Sequence, residues 1–129
     1  MEKILHVVVQ GPCITAGSTA WGKQVVQLGD LKARITAACA PLREERWLRP
    51  GLTARIRCYL HGRRLQLADL DNMAKVVLDA AFSSGSWRTD RHKDRLVWRL
   101  EIEKISCDTA DERTEIWFFD GAPGTSAKG

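Results

Sequence analysis

Asp69, Asp71 and Asp90, with Lys75 between the second and the third, are the residues of this chain whose types and spacing suit chemistry. They occur in Asp69-Leu70-Asp71-Asn72-Met73-Ala74-Lys75 and, further on, in Trp87-Arg88-Thr89-Asp90. Carboxylates are hard oxygen donors for Mg²⁺, which keeps positions open for water and for phosphate oxygens when only a few of them hold it. A lysine beside such a cluster steadies an anionic oxygen. Three converging carboxylates and one lysine are therefore what holding Mg²⁺ against a phosphodiester requires.

Other readings of the same residues are weaker or blander. An EF-hand calcium loop wants an acidic or amide residue at its fifth position and glycine at its sixth, where this chain has Met73 and Ala74. Plain helix capping is a real alternative. Asp69 suits an N-cap, and Asp71 and Lys75 are spaced as an i, i+4 ion pair. Zinc is not indicated, because Cys13, Cys39, Cys58 and Cys107 form no CxxC pair and His6, His61 and His92 fall in no zinc-like spacing.

The elements around these residues must bring them together. Ile4 to Val9 is a short apolar run stopped by Gly11-Pro12, which predicts a buried strand. From about Trp21 to Ala40 the residues Val25, Leu28, Leu31, Ile35 and Ala38 recur at helical spacing, and Pro41 ends or interrupts that helix. Between Thr53 and Leu60, Ile56, Cys58 and Leu60 alternate with Arg55, Arg57 and Tyr59, a half-buried strand with a basic face. Cys58 is expected inside as a small hydrophobe.

A helix is predicted from Asp69 to about Ser83, with Leu70, Met73, Val77 and Ala80 as its apolar stripe and Asp71, Lys75 and Asp79 on the opposite face. Leu96, Trp98, Leu100 and Ile102 then mark a long strand packed on one side, and Thr114 to Phe119 a last one. The order β-α-β-α-β-β implies an α+β fold, one small domain whose mixed sheet carries its helices mainly on one face. The domain is expected over residues 1–120, with 121–129 a flexible C-terminal tail. Two residues apart on a helix lie about 200° apart, so Asp69 and Asp71 converge only if Asp69 still belongs to the extended segment before it. Asp90 joins them if the chain returns past the same helix end.

The whole chain sets modest bounds. It has 129 residues, 44% of them hydrophobic, and carries a formal net charge of +4. That balance favours an anionic partner. Six arginines (Arg46, Arg49, Arg55, Arg57, Arg63, Arg64) and no carboxylate lie between Arg46 and Ala68, just ahead of Asp69. Such a stretch reads as a phosphate track leading to a metal site, with Arg55, Arg57, Arg63 and Arg64 as its DNA contacts, or as a solvated strand face. No apolar run approaches the roughly 18 residues that cross a bilayer. No signal peptide opens the chain, so a cytoplasmic protein with reduced thiols is expected.

Asp69-Leu70-Asp71-Asn72, then Lys75, Asp79 and Trp87-Arg88-Thr89-Asp90, resembles the signature of RusA-type Holliday-junction resolvases. The resemblance is close over 69–90 and extends in outline to the order of elements. It implies a Mg²⁺-dependent endodeoxyribonuclease of DNA recombination and repair, with Mn²⁺ as a substitute metal and no nucleotide cofactor. It also implies a homodimer that resolves four-way DNA junctions by paired, symmetric nicks. In that family the positions of Asp69, Asp71 and Asp90 bind the metal, and the position of Lys75 is needed for cleavage. Asn72 and Asp79 match family positions as supporting residues. Trp87 suits packing of the turn that delivers Asp90, or a wedge against a base.

The chain also departs from the family pattern. The loop after the first strand has no basic residue before Lys23, Leu65-Gln66-Leu67-Ala68 stands where members are often densely basic, and Thr89-Asp90 replaces an acid pair. Two alternatives follow: a family nuclease acting on other branched DNA, and a catalytically silent DNA-binding relative. The exposed face of the last strand, at Trp117 and Phe119, is a candidate for the dimer contact.

Overall fold

The computed structural model describes residues 2–14, 23–44, 47, 49–83 and 93–121. Asp90, Trp87, the loop residues Thr15 to Ser18 and the tail from 122 onward lie outside the described residues. The chain runs β1 (Glu2–Gln10), α1 (Lys23–Ala38), a 3-10 turn (Ala40–Arg43), β2 (Leu52–Leu60), α2 (Arg63–Leu67), α3 (Leu70–Ala81), β3 (Val97–Ser106) and β4 (Arg113–Asp120). The strands form one mixed sheet in the order β1-β4-β2-β3. β4 is antiparallel to β1 and β2, whereas β2 and β3 run parallel. The fold is α+β, and the expected order of elements holds with α2 added ahead of α3.

Parallel strands cannot be joined by a hairpin, so β2 and β3 need a crossover, and α3 supplies it. The helix therefore starts near the end where β2 finishes. Gly62 turns the chain there with φ +58°, a conformation that a side chain would strain.

The central strand β2 shows why one face is covered. Ile56, Cys58 and Leu60 are fully buried, while Arg55, Arg57 and Tyr59 between them are half-buried on the other side. Ile116 and Phe118 of β4, and Leu5 and Val9 of β1, add to the same inner layer. Leu31 and Ile35 from α1, with Met73, Val77 and Ala80 from α3, close over it. Phe82 meets Phe118 edge to face, with ring centroids 5.7 Å apart.

Polar bonds tie the two helices across their far ends. Thr36 Oγ1 donates to Ala80 O at 2.8 Å, and Arg43 Nη1 donates to Thr36 O at 2.9 Å and Ala81 O at 3.2 Å. A cation on the last carbonyls of α3 is favoured by the helix dipole as well as by the bonds. Pro41 stands inside the 3-10 turn that follows α1, as its lack of an N–H and its effect on the preceding residue require.

Several sequence expectations are modified. The strand at Ile4 to Val9 is an edge strand that buries only alternate residues, with Val8 on its open side exposed, and Leu70 of the predicted α3 stripe is also exposed. Between β2 and Asp69, where the sequence pattern predicts no element, Arg63–Leu67 forms the short helix α2. β3 is an edge strand, so Trp98 and Leu100 remain 61% and 41% exposed among the described residues, and packing on one side is realised at Ile102. No helix of the described residues is long and apolar enough to cross a membrane.

Candidate functional site

Asp69 and Asp71 stand at the start of α3, at the end of the molecule where β2 and β3 finish. Asp69 is extended, with φ −100° and ψ 121°, and acts as the N-cap, while Asp71 lies in the first turn. This is the arrangement that convergence of the two requires. Asp69 Oδ1 accepts the Asp71 backbone N–H at 2.9 Å, so the first carboxylate folds back over the residue that carries the second. A carboxylate has a second oxygen, which leaves capping and metal ligation compatible. Both side chains are exposed.

Lys75 is exposed one turn along α3, on the face of Asp71, with Asp79 a further turn away. Among the described residues Lys75 forms no ion pair with Asp71 or Asp79. Asn72 is exposed in the first turn. Asp90 lies outside the described residues. Among those residues no group of three or more histidines, cysteines or acids is placed to hold a metal. The chemistry of the two carboxylates still fits Mg²⁺, which is commonly held by one or two carboxylates with water and phosphate oxygens completing its shell. Asp69 and Asp71 would hold it, Lys75 lies alongside, and the bound cation would neutralise charge on a phosphate.

The arginine track divides into two places. Arg55 and Arg57 point from β2 to the open face of the sheet, opposite the side on which α3 packs. There each has a carboxylate from β3: Arg55 Nε lies 3.0 Å from Glu101 Oε2, and Arg57 Nε lies 2.8 Å from Glu103 Oε1. The parallel register sets Arg55 against Glu101 and Arg57 against Glu103. The guanidinium of Arg55 also lies over Phe119, and that of Arg57 over Trp117, with His6 stacked on the same indole at 4.3 Å.

Arg63 and Arg64 lie on α2, next to the aspartates. Arg63 is exposed. Arg64 instead forks onto Glu112, with Nε donating to Oε2 at 2.9 Å and Nη2 to Oε1 at 2.5 Å. Glu112 is only 4% exposed and also accepts the His61 N–H at 3.0 Å. The Arg64 guanidinium holds the Glu112 carboxyl below the usual glutamate range, against the opposing effect of burial. The acids that the stretch lacks come from elsewhere in the chain, Glu101 and Glu103 from β3 and Glu112 from just ahead of β4.

A residue that the sequence reading did not single out reaches the same corner. Lys104 of β3 donates from Nζ to Leu65 O at 2.8 Å and to Ala68 O at 3.0 Å. A signal for it existed in the pattern: Leu96, Trp98, Leu100 and Ile102 share one side of the strand, and continuing that parity puts Lys104 on the helix-covered side. No protein-family model matches the chain, and no curated protein matches it.

Proposed function

We propose that this protein is a Mg²⁺-dependent endodeoxyribonuclease acting on branched DNA, resolving four-way junctions by paired symmetric nicks, with Mn²⁺ able to replace Mg²⁺. The observation that carries the reading is the extended backbone of Asp69 against the helical one of Asp71, which sets two carboxylates at one helix end with Lys75 beside them. The likeness of residues 69–90 to the RusA signature supports the same reading and supplies Asp90 as the third ligand. In this proposal Asp69 and Asp71 hold the metal, Lys75 steadies a phosphate oxygen, and Arg63 meets the backbone of the DNA next to the cut.

Two nicks related by two-fold symmetry call for two copies of the site, so a homodimer belongs to the proposal. The four cysteines are free, which suits the reducing interior of a cell.

The test is cleavage of a labelled mobile four-way junction with Mg²⁺, comparing wild type with Asp71→Asn. Paired nicks near the crossover in the first, and retained binding without cleavage in the second, are expected. A second reading, a catalytically silent DNA-binding relative, is favoured by the cap itself, since the Asp71 N–H bond accounts for Asp69 without a metal. Binding by both proteins with cleavage by neither, in Mg²⁺ or Mn²⁺, would establish that reading instead.

A further inference from the structure

We infer that Lys104 is a positioning residue for the carboxylate pair: its ammonium, held between the carbonyls of Leu65 and Ala68, sets the backbone corner from which Asp69 and Asp71 present their oxygens. The inference rests on the metal site proposed above.

The corner is short and heavily determined. Ala68 is the residue immediately before Asp69 and ends α2 in an extended conformation, with φ −68° and ψ 134°. Its N–H donates to Arg64 O at 2.9 Å, and its carbonyl accepts from Lys104 Nζ at 3.0 Å. Both of its backbone polar groups are thereby committed. The next residue, Asp69, gives its carbonyl to Met73 N at 3.0 Å and its Oδ1 to Asp71 N at 2.9 Å. From Arg64 to Met73 the chain thus changes from one helix to another across two extended residues, and Lys104 is the side chain that anchors the changeover.

The anchor comes from the sheet. Lys104 sits opposite Cys58 in the β2–β3 register, and Cys58 is fully buried. The base of Lys104 is therefore fixed by the sheet, while its tip holds the corner. An α2 of only Arg63–Leu67 is too short to be stable alone, so an outside donor to its last carbonyls matters. The chemistry also favours a positioning role over a competing one. Lys104 binds neutral carbonyl oxygens, so it orders the corner without taking either aspartate into an ion pair. Residues that orient metal ligands from behind typically change metal affinity tenfold to a hundredfold when removed.

The test uses the full chain, with Mn²⁺ as the probe. Mn²⁺ binding is measured by electron paramagnetic resonance for wild type, Lys104→Met and Lys104→Arg, and exchange of the Asp71 backbone amide by NMR without metal. Lys104→Met is expected to bind Mn²⁺ about tenfold or more weakly and to exchange the Asp71 amide faster, with Lys104→Arg recovering most of both. Binding within about twofold of wild type and an unchanged Asp71 amide in Lys104→Met would overturn the inference. If wild type takes up no Mn²⁺, the nuclease reading fails separately, and the Asp71 amide alone decides: faster exchange keeps the positioning role, unchanged exchange removes it. Should Lys104→Met not fold, Lys104→Gln, uncharged but polar, takes its place in the same comparison.

Discussion

Asp69 caps α3 by accepting the N–H of Asp71 at 2.9 Å, so one carboxylate both starts the helix and leans over its neighbour. Capping and ligation make separable demands on that side chain. Asn caps a helix about as well as Asp but is a poor ligand for a hard cation, whereas Ala does neither. Asp69→Asn is therefore expected to melt within about 0.5 kcal/mol of wild type, and Asp69→Ala to lose about 1 kcal/mol. Cleavage of a junction in Mg²⁺ should vanish in both. Activity that tracks the melting temperature across the two variants would make Asp69 a cap and nothing more.

Arg63 and Arg55 predict opposite outcomes in DNA binding. The charge of Arg55 is matched by Glu101 on the far face of the sheet, whereas Arg63 is exposed on the helix that leads into the aspartates. A phosphate contact releases counterions, so its loss weakens binding and lowers the salt slope by about 1. Titrating a four-way junction at several salt concentrations should show that change for Arg63→Gln. Arg55→Gln should leave the slope near that of wild type.

Glu112 gives the fold a dependence on acid. Its carboxyl is held below the ordinary glutamate value, about 4.3, chiefly by Arg64. A depressed native pKa means that the unfolded chain binds the proton first. The stabilisation is then fully present above that ordinary value and is lost as pH falls through the native one. Glu112→Gln should cost about 1–3 kcal/mol at pH 7, less if water screens the half-exposed Arg64, because a paired buried acceptor is weakened. Denaturation curves at pH 7 and pH 3 should show the gap between variant and wild type closing in acid.

The cysteines should divide by access. Cys39 is buried, and burial pushes its thiol up to about 12; Cys58 is raised by contact with Cys13 and by burial. Cys13 is buried too, although the same contact lowers it. Cys107 is partly exposed, and burial with the nearby Glu112 and Asp111 raises it. Iodoacetamide on the native protein should label Cys107 first, slowly at pH 8 and faster as pH rises, because the thiolate is the reacting form. Mass spectrometry should find the other three modified only after unfolding.

Much of the architecture was legible because its signals are local. The alternation of Ile56, Cys58 and Leu60 with Arg55, Arg57 and Tyr59 follows from the strand period and is realised; of the stripe predicted from the helix period, Met73, Val77 and Ala80 are buried, whereas Leu70 in the first turn stays exposed. Asp69 as an N-cap was likewise readable from residue type and place. Pairing between strands was not. That Arg55 and Arg57 are matched by Glu101 and Glu103 depends on the parallel register of β2 and β3, and that Arg64 is matched by Glu112 depends on α2 packing beside the entry to β4, all between segments far apart in the chain. An arginine-rich run without acids therefore looked more open to a phosphate than most of it is. The edge position of β3 likewise decided that Trp98 and Leu100 stay exposed. Residue types and spacing determined by themselves that Asp69 caps α3 with Asp71 in its first turn, since a cap and its first turn involve neighbours in the chain. Only the tertiary structure decided which charges are spent on partners and that Lys104, from the edge strand, holds the corner beneath Asp69. Hydrogen bonds and ion pairs act over a few ångströms of space, and the order of the sequence does not encode which distant strands come within that reach.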